Sequence, residues 1–184
     1  MYIHNDQLQK LITTNIDHVL TISQIYHLEI AEEKIFIGLL IQIIDCLPLL
    51  GSIKIHSLSL YGSRNLTEKE IEIFSLIEGT SIITKVYLQN MIEFYDIHFL
   101  MALCPYMAFL KIGFINNMNI EVFLHYILKK INYQSNDYLR LLCVHVPTVD
   151  DQMIKKLEKM INDEKLLVNY SIKRVLYDIY LQLK

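Results

Sequence analysis

Apolar residues recur along the chain in a short pattern, apolar-x-x-apolar-x-apolar, at a nearly constant distance. It reads Ile25-x-x-Leu28-x-Ile30, Ile55-x-x-Leu58-x-Leu60 and Ile83-x-x-Val86-x-Leu88. It continues as Phe109-x-x-Ile112-x-Phe114, Leu139-x-x-Leu142-x-Val144 and Leu167-x-x-Tyr170-x-Ile172. The central positions 28, 58, 86, 112, 142 and 170 are 30, 28, 26, 30 and 28 residues apart. Short apolar alternation reads as a strand. A fixed period of this length marks a stack of repeated units. Between Leu50 and Leu60 a second phase, Leu50-x-x-Ile53-x-Ile55, fits as well.

The segments between the triplets carry helix signals. Thr67-Glu-Lys-Glu70 has the form of a capping box, which satisfies free amides at a helix start. Ile71, Phe74 and Ile77 follow at helical spacing, and Gly79 stands where a helix would stop. Thr148 and Asp150 are cap candidates ahead of a stripe of Met153, Ile154, Leu157, Met160 and Ile161. Asn117 or Asn119 precedes Phe123, Leu124, Ile127 and Leu128. Helices are also expected over Ile35 to Leu47 and Tyr95 to Ala102, with Pro48 and Pro105 placed to end them.

Each period therefore holds one strand and one helix, and a helix that crosses back makes neighbouring strands parallel. The ends differ. Leu8, Leu11, Ile12, Ile16, Val19 and Leu20 predict a capping helix within 1–24. Leu176, Ile179, Tyr180 and Leu183 predict another over 176–184, leaving about six strand–helix units in 25–175. A stack needs such caps because its outermost unit otherwise exposes its core face.

Composition narrows the class. The chain has 184 residues, 53% of them hydrophobic and 20% charged, which is enough apolar surface for one folded domain. The formal charge is -3, and the densest basic stretch, Lys155 to Lys165, is interrupted by Glu158, Asp163 and Glu164. That is a solvated helix face and gives no sign of nucleic-acid binding. The run Ile35 to Leu50 is 16 residues long and contains Gln42, Asp45 and Pro48. A span needs about 20 apolar residues, so a buried helix is expected and no membrane span. Cys46, Cys104 and Cys143 are odd in number and without CxxC spacing, which fits a reducing compartment.

On these residues the chain resembles a leucine-rich repeat protein of the ribonuclease-inhibitor-like subclass, over about 25 to 175. The stretch Leu66 to Ile77 followed by Ile83-x-x-Val86-x-Leu88 carries the likeness best. The family's Asn/Cys position conforms only at Asn117. The resemblance implies an α/β solenoid, a short arc of about six parallel strands on the concave side with helices on the convex side. It also implies a non-enzymatic module that binds a protein partner. Richness in Ile, Asn, Tyr and Lys points to an AT-rich coding genome. The chain is similar to short repeat proteins that intracellular bacteria deliver into host cells as virulence effectors.

In this register the concave face carries His27 and Glu29; Ser57, Ser59 and Tyr61; and Lys85, Tyr87 and Gln89. It continues with Lys111, Gly113 and Ile115; Leu141, Cys143 and His145; and Asn169, Ser171 and Lys173. Tyr61, Lys85, Tyr87, Gln89, Lys111 and His145 are the candidate partner contacts, with the tyrosines as anchors. No cofactor motif, HExxH, GxSxG or phosphate loop is present, and no catalytic residue is assigned. Two other readings compete with the binding module. One is an enzyme whose nucleophile is Cys143 beside His145, since residues two apart on a strand share a face. The other is an all-α membrane-peripheral bundle built on Ile35 to Leu50.

Overall fold

The alternation builds strands whose order in space follows their order in sequence. The computed structural model describes residues 2–3, 25–59, 66–115, 119–134 and 138–183. Ten strands are described. They are β1 (Tyr2–Ile3), β2 (His27–Ile30), β3 (Ile35–Phe36), β4 (Ser52–Ile55) and β5 (Leu58–Ser59). Then come β6 (Lys85–Met91), β7 (Phe109–Ile115), β8 (Leu141–His145), β9 (Tyr170–Val175) and β10 (Asp178–Leu183). The described helices are α1 (Ile37–Asp45), α2 (Glu68–Thr80), α3 (Phe94–Leu103), α4 (Ile120–Gln134) and α5 (Asp151–Asp163). The main sheet runs β1-β2-β4-β6-β7-β8-β10-β9. Every pair from β1 to β8 is parallel, and the last two pairings are antiparallel. The fold is thus mixed α/β with a mostly parallel sheet, which excludes the all-α reading.

The register shows what repeats. Leu28, Ile53, Val86, Leu110 and Leu142 are lateral partners. So are Ile30, Ile55, Leu88, Ile112 and Val144. All ten are at most 2% exposed. Each pair is preceded by an apolar residue three positions earlier, Ile25, Leu50, Ile83, Met107 and Leu139, so five units carry the full triplet in one phase. A backbone device repeats with it. The Tyr26 carbonyl accepts from Gly51 and Ser52, and that of Gly51 from Thr84 and Lys85. The Thr84 carbonyl accepts from Ala108 and Phe109, and that of Ala108 from Arg140 and Leu141.

Two triplets of the sequence reading are out of phase. In the second unit Ile53 and Ile55 enter the main sheet, whereas Leu58 enters β5, which pairs with β3 in a separate two-stranded sheet. In the fourth unit the in-phase triplet is Met107-x-x-Leu110-x-Ile112, two residues earlier than expected. The aligned positions 28, 53, 86, 110 and 142 are 25, 33, 24 and 32 residues apart, less regular than the motif suggested. The expected sixth unit is not a parallel one. Tyr170 and Ile172 lie on β9, the edge strand of an antiparallel hairpin.

The C-terminal capping helix over 176–184 is replaced by β10. Ile179, Leu181 and Leu183 alternate into the core at 0%, 1% and 7% exposure, and β10 pairs with β8 on one side and β9 on the other. Burial of the alternating set outcompetes the weaker helical spacing of Leu176, Ile179, Tyr180 and Leu183. Leu176 heads the hairpin turn at φ 56 and is 82% exposed. A left-handed conformation costs an L-residue roughly 1–2 kcal/mol. The expected N-terminal cap at 1–24 lies almost wholly outside the described residues.

All five helices place apolar residues in one core with the strands, among them Leu40, Ile77, Leu100, Phe123 and Leu157. The strand positions of opposite parity stay mostly part-exposed, so the helices cover one face of the sheet. Helix starts follow the sequence. Thr67 Oγ1 accepts from the Glu70 amide at 3.2 Å, and Glu70 Oε2 accepts from the Thr67 amide at 2.8 Å, completing the capping box. Asp150 Oδ1 accepts from the Met153 amide and Asn119 Oδ1 from the Glu121 amide. Glu70 is 1% exposed and also accepts from Gln42 Nε2 at 2.8 Å, locking α2 to α1. At Gly38 a Cβ would lie 2.5 Å from Glu70 Oε1, so only glycine permits this approach. The α1 helix is nine residues long, and among the described residues no helix is long and apolar enough to cross a membrane.

Candidate functional site

Because side chains alternate along a strand, burying one set of strand residues turns the other set away from the helices. The central row on that open face runs Glu29, Lys54, Tyr87, Lys111, Cys143, Tyr180 and Lys173, each the lateral partner of the next. Cross-strand contacts tie it together. Lys54 Nζ lies 2.6 Å from Glu29 Oε1. The Tyr87 and Phe109 rings pack at 5.2 Å between centroids. His56 Nδ1 meets Gln89 Oε1 at 2.9 Å, and His27 Nδ1 meets Ser52 Oγ at 2.7 Å.

The densest group gathers on Asp178, the first residue of β10. Lys111 Nζ donates to its Oδ2 at 2.8 Å, and His145 Nδ1 lies 2.8 Å from its Oδ1. Burial works against ionisation of this carboxyl. The hydrogen bonds from Lys111 and His145 outweigh it and hold Asp178 below its ordinary value. The same bond raises Lys111 above its own. The Tyr177 ring stands edge-on to His145 at 6.2 Å.

Next to this group is a cavity of about 310 Å³, lined by Lys54, Tyr87, Leu88, Gln89, Lys111, Gly113, His145 and Asp178. Gly113 shapes it through close approach. A Cβ there would lie 2.7 Å from the Gln89 carbonyl oxygen, so the position admits no side chain.

Of the expected contacts, Tyr87, Gln89, Lys111 and His145 line this one cavity. Lys85 is exposed at the start of β6 on the same face. Tyr61 lies outside the described residues. Ser57 is not on the open face. It is 1% exposed, and its hydroxyl donates to the Glu33 carbonyl at 2.6 Å, because the second strand lies at 52–55. Ser52, Lys54 and His56 take the places assigned to Ser57, Ser59 and Tyr61. Asn169 precedes β9, whereas Ser171 and Lys173 do pair with the open-face positions Gln182 and Tyr180. Lys54 and Asp178 were missed. The second phase at Leu50 was the signal for Lys54, and the alternation Ile179, Leu181, Leu183 was the signal for Asp178.

Cys143 and His145 share a face, but no hydrogen bond joins them among the described residues. His145 is turned to Asp178 instead. Cys143 is 0% exposed, and burial pushes its thiol above the ordinary value against the pull of Lys111. A nucleophilic cysteine needs its thiolate, and this environment disfavours it. All three cysteines are free. Among the described residues no group of three or more His, Cys, Asp or Glu side chains is placed to hold a metal ion.

No protein-family model, no curated protein and no solved structure matches this chain.

Proposed function

We propose that the chain is a short solenoid of the leucine-rich-repeat kind and acts as a non-enzymatic module that binds a protein partner on its open sheet face. The observation that carries this reading is the row from Glu29 to Lys173, which no described helix covers and in which only Cys143 is buried, with the cavity at its centre. Parallel strands lie about 4.8 Å apart, so such a row suits a macromolecule better than a small metabolite. The five in-phase triplets and the repeated carbonyl device support a stacked-unit origin for the face. Tyr87 is its best anchor, since tyrosine gives large contact area at low entropic cost.

Action inside a host cell after delivery by a bacterium is the biological setting we propose, and it rests on composition and on the resemblance. The test uses the whole chain as bait in host-cell extract. The variant Lys85→Glu/Lys111→Glu/Tyr87→Ala should lose the captured partner while its circular dichroism stays unchanged. Undiminished capture by the folded variant would overturn the open-face reading.

A further inference from the structure

The hydrogen-bonding capacity of the central cavity is lopsided. An ammonium offers three N–H donors. Lys54 spends one on Glu29 and Lys111 one on Asp178. Gln89 uses its carbonyl oxygen towards His56, which leaves its amide NH2 group unengaged. The Tyr87 hydroxyl has no hydrogen-bond partner among the described residues. These four side chains come from β4, β6 and β7 and line the same space. On the acceptor side, each Asp178 oxygen already holds a partner, Lys111 and Tyr180 on Oδ2 and His145 on Oδ1. That leaves fewer free acceptor sites than the two ammonium groups, the amide and the hydroxyl leave free donors. The cavity therefore presents an excess of donors over a floor that Gly113 keeps open.

We infer that this cavity receives a carboxylate side chain, an Asp or Glu carried by an acidic segment of the protein partner. The inference rests on the open-face reading and names the chemistry of its centre. A carboxylate is planar and acceptor-only, and its two oxygens reach donors on neighbouring strands. Charge favours it over a phosphate. The two lysines and the two carboxylates Glu29 and Asp178 cancel formally, so the doubly charged phosphate is opposed more strongly than the singly charged carboxylate, which binds through the free donors.

The test is a titration of the isotope-labelled chain with an acetylated, amidated peptide of four glutamates, followed by amide NMR. Inorganic phosphate and the corresponding four-glutamine peptide form parallel arms. Saturable shifts should centre on the amides of Lys54, Tyr87, Gln89, Lys111 and Gly113, with glutamine giving none. Lys54→Gln should weaken the binding about fivefold, and Gln89→Glu, which turns two donors into an acceptor at an exposed position, should abolish it. Shifts spread over the surface lysines, equal shifts with glutamine, or tighter binding of phosphate would each overturn the inference. If the glutamate peptide does not bind while partner capture still depends on Tyr87, the carboxylate assignment falls alone. Loss of both removes the open-face reading as well.

Discussion

Asp178 Oδ1 lies 2.8 Å from His145 Nδ1, and that contact fastens the antiparallel hairpin to the last parallel strand on the open face. With Lys111 on the other oxygen, one carboxylate links β7, β8 and β10.

The linkage makes stability depend on pH in a defined direction. Asp178 is held below the ordinary carboxyl value of 3.8, so its contribution is fully present above that value. It is lost as pH falls through the depressed folded value. Lys111 is raised above 10.5, so its share persists below that value and is lost as pH rises through the higher folded one. Asp178→Asn should flatten both limbs of the stability–pH curve. At neutral pH it should cost about 1 kcal/mol, since the partners are part-exposed. Urea unfolding across pH measures this.

Gly38→Ala should destabilise the fold by about 2 kcal/mol. The new Cβ would meet Glu70 Oε1 and the Phe36 ring, at 2.5 and 2.7 Å. Glu70 cannot swing aside without giving up Thr67 and Gln42. Thr67→Ala should cost about 1 kcal/mol through the lost cap. Chemical denaturation of both variants checks the ranking.

Leu176→Gly should stabilise the fold by about 1 kcal/mol. The side chain is 82% exposed, so little burial is lost, and glycine accepts φ 56 without penalty. A rise in the thermal midpoint is the expected reading.

The cysteines should react slowly with a thiol probe at neutral pH, Cys46 first. Cys46 is part-exposed, with burial and Asp45 raising its thiol. Cys104 is fully buried and pushed up to about 12. Preferential fast labelling of Cys143, followed by peptide mapping, would revive the nucleophile reading.

The core-facing residues of β2 and β6 were legible because Leu28 and Val86 each stand in a single alternation, and in β8 the choice of Leu142 over its apolar neighbours Leu141 and Cys143 rested on the spacing of the repeat. Two strands were misphased because their runs hold overlapping copies of the motif. Phe109-x-x-Ile112-x-Phe114 and Met107-x-x-Leu110-x-Ile112 both satisfy it, and only lateral pairing with Val86 selects the second. The hairpin was hidden for a related reason. The spacing of Ile179, Tyr180 and Leu183 suits a helix, whereas burial of Leu181 decides for a strand. Lys111 and His145 could be placed on the open face from local alternation. Their meeting on Asp178 could not, because it joins residues 67 and 33 positions apart through a strand reversal.

Lysine-acetylation footprinting of the chain, free and bound to its captured partner, tests the central claim most directly. Lys54, Lys85 and Lys111 on the open face should be protected in the complex. Lys155, Lys156 and Lys159 on the outer side of α5 should react as in the free protein. Protection of the α5 lysines with the open-face lysines unchanged would contradict the account.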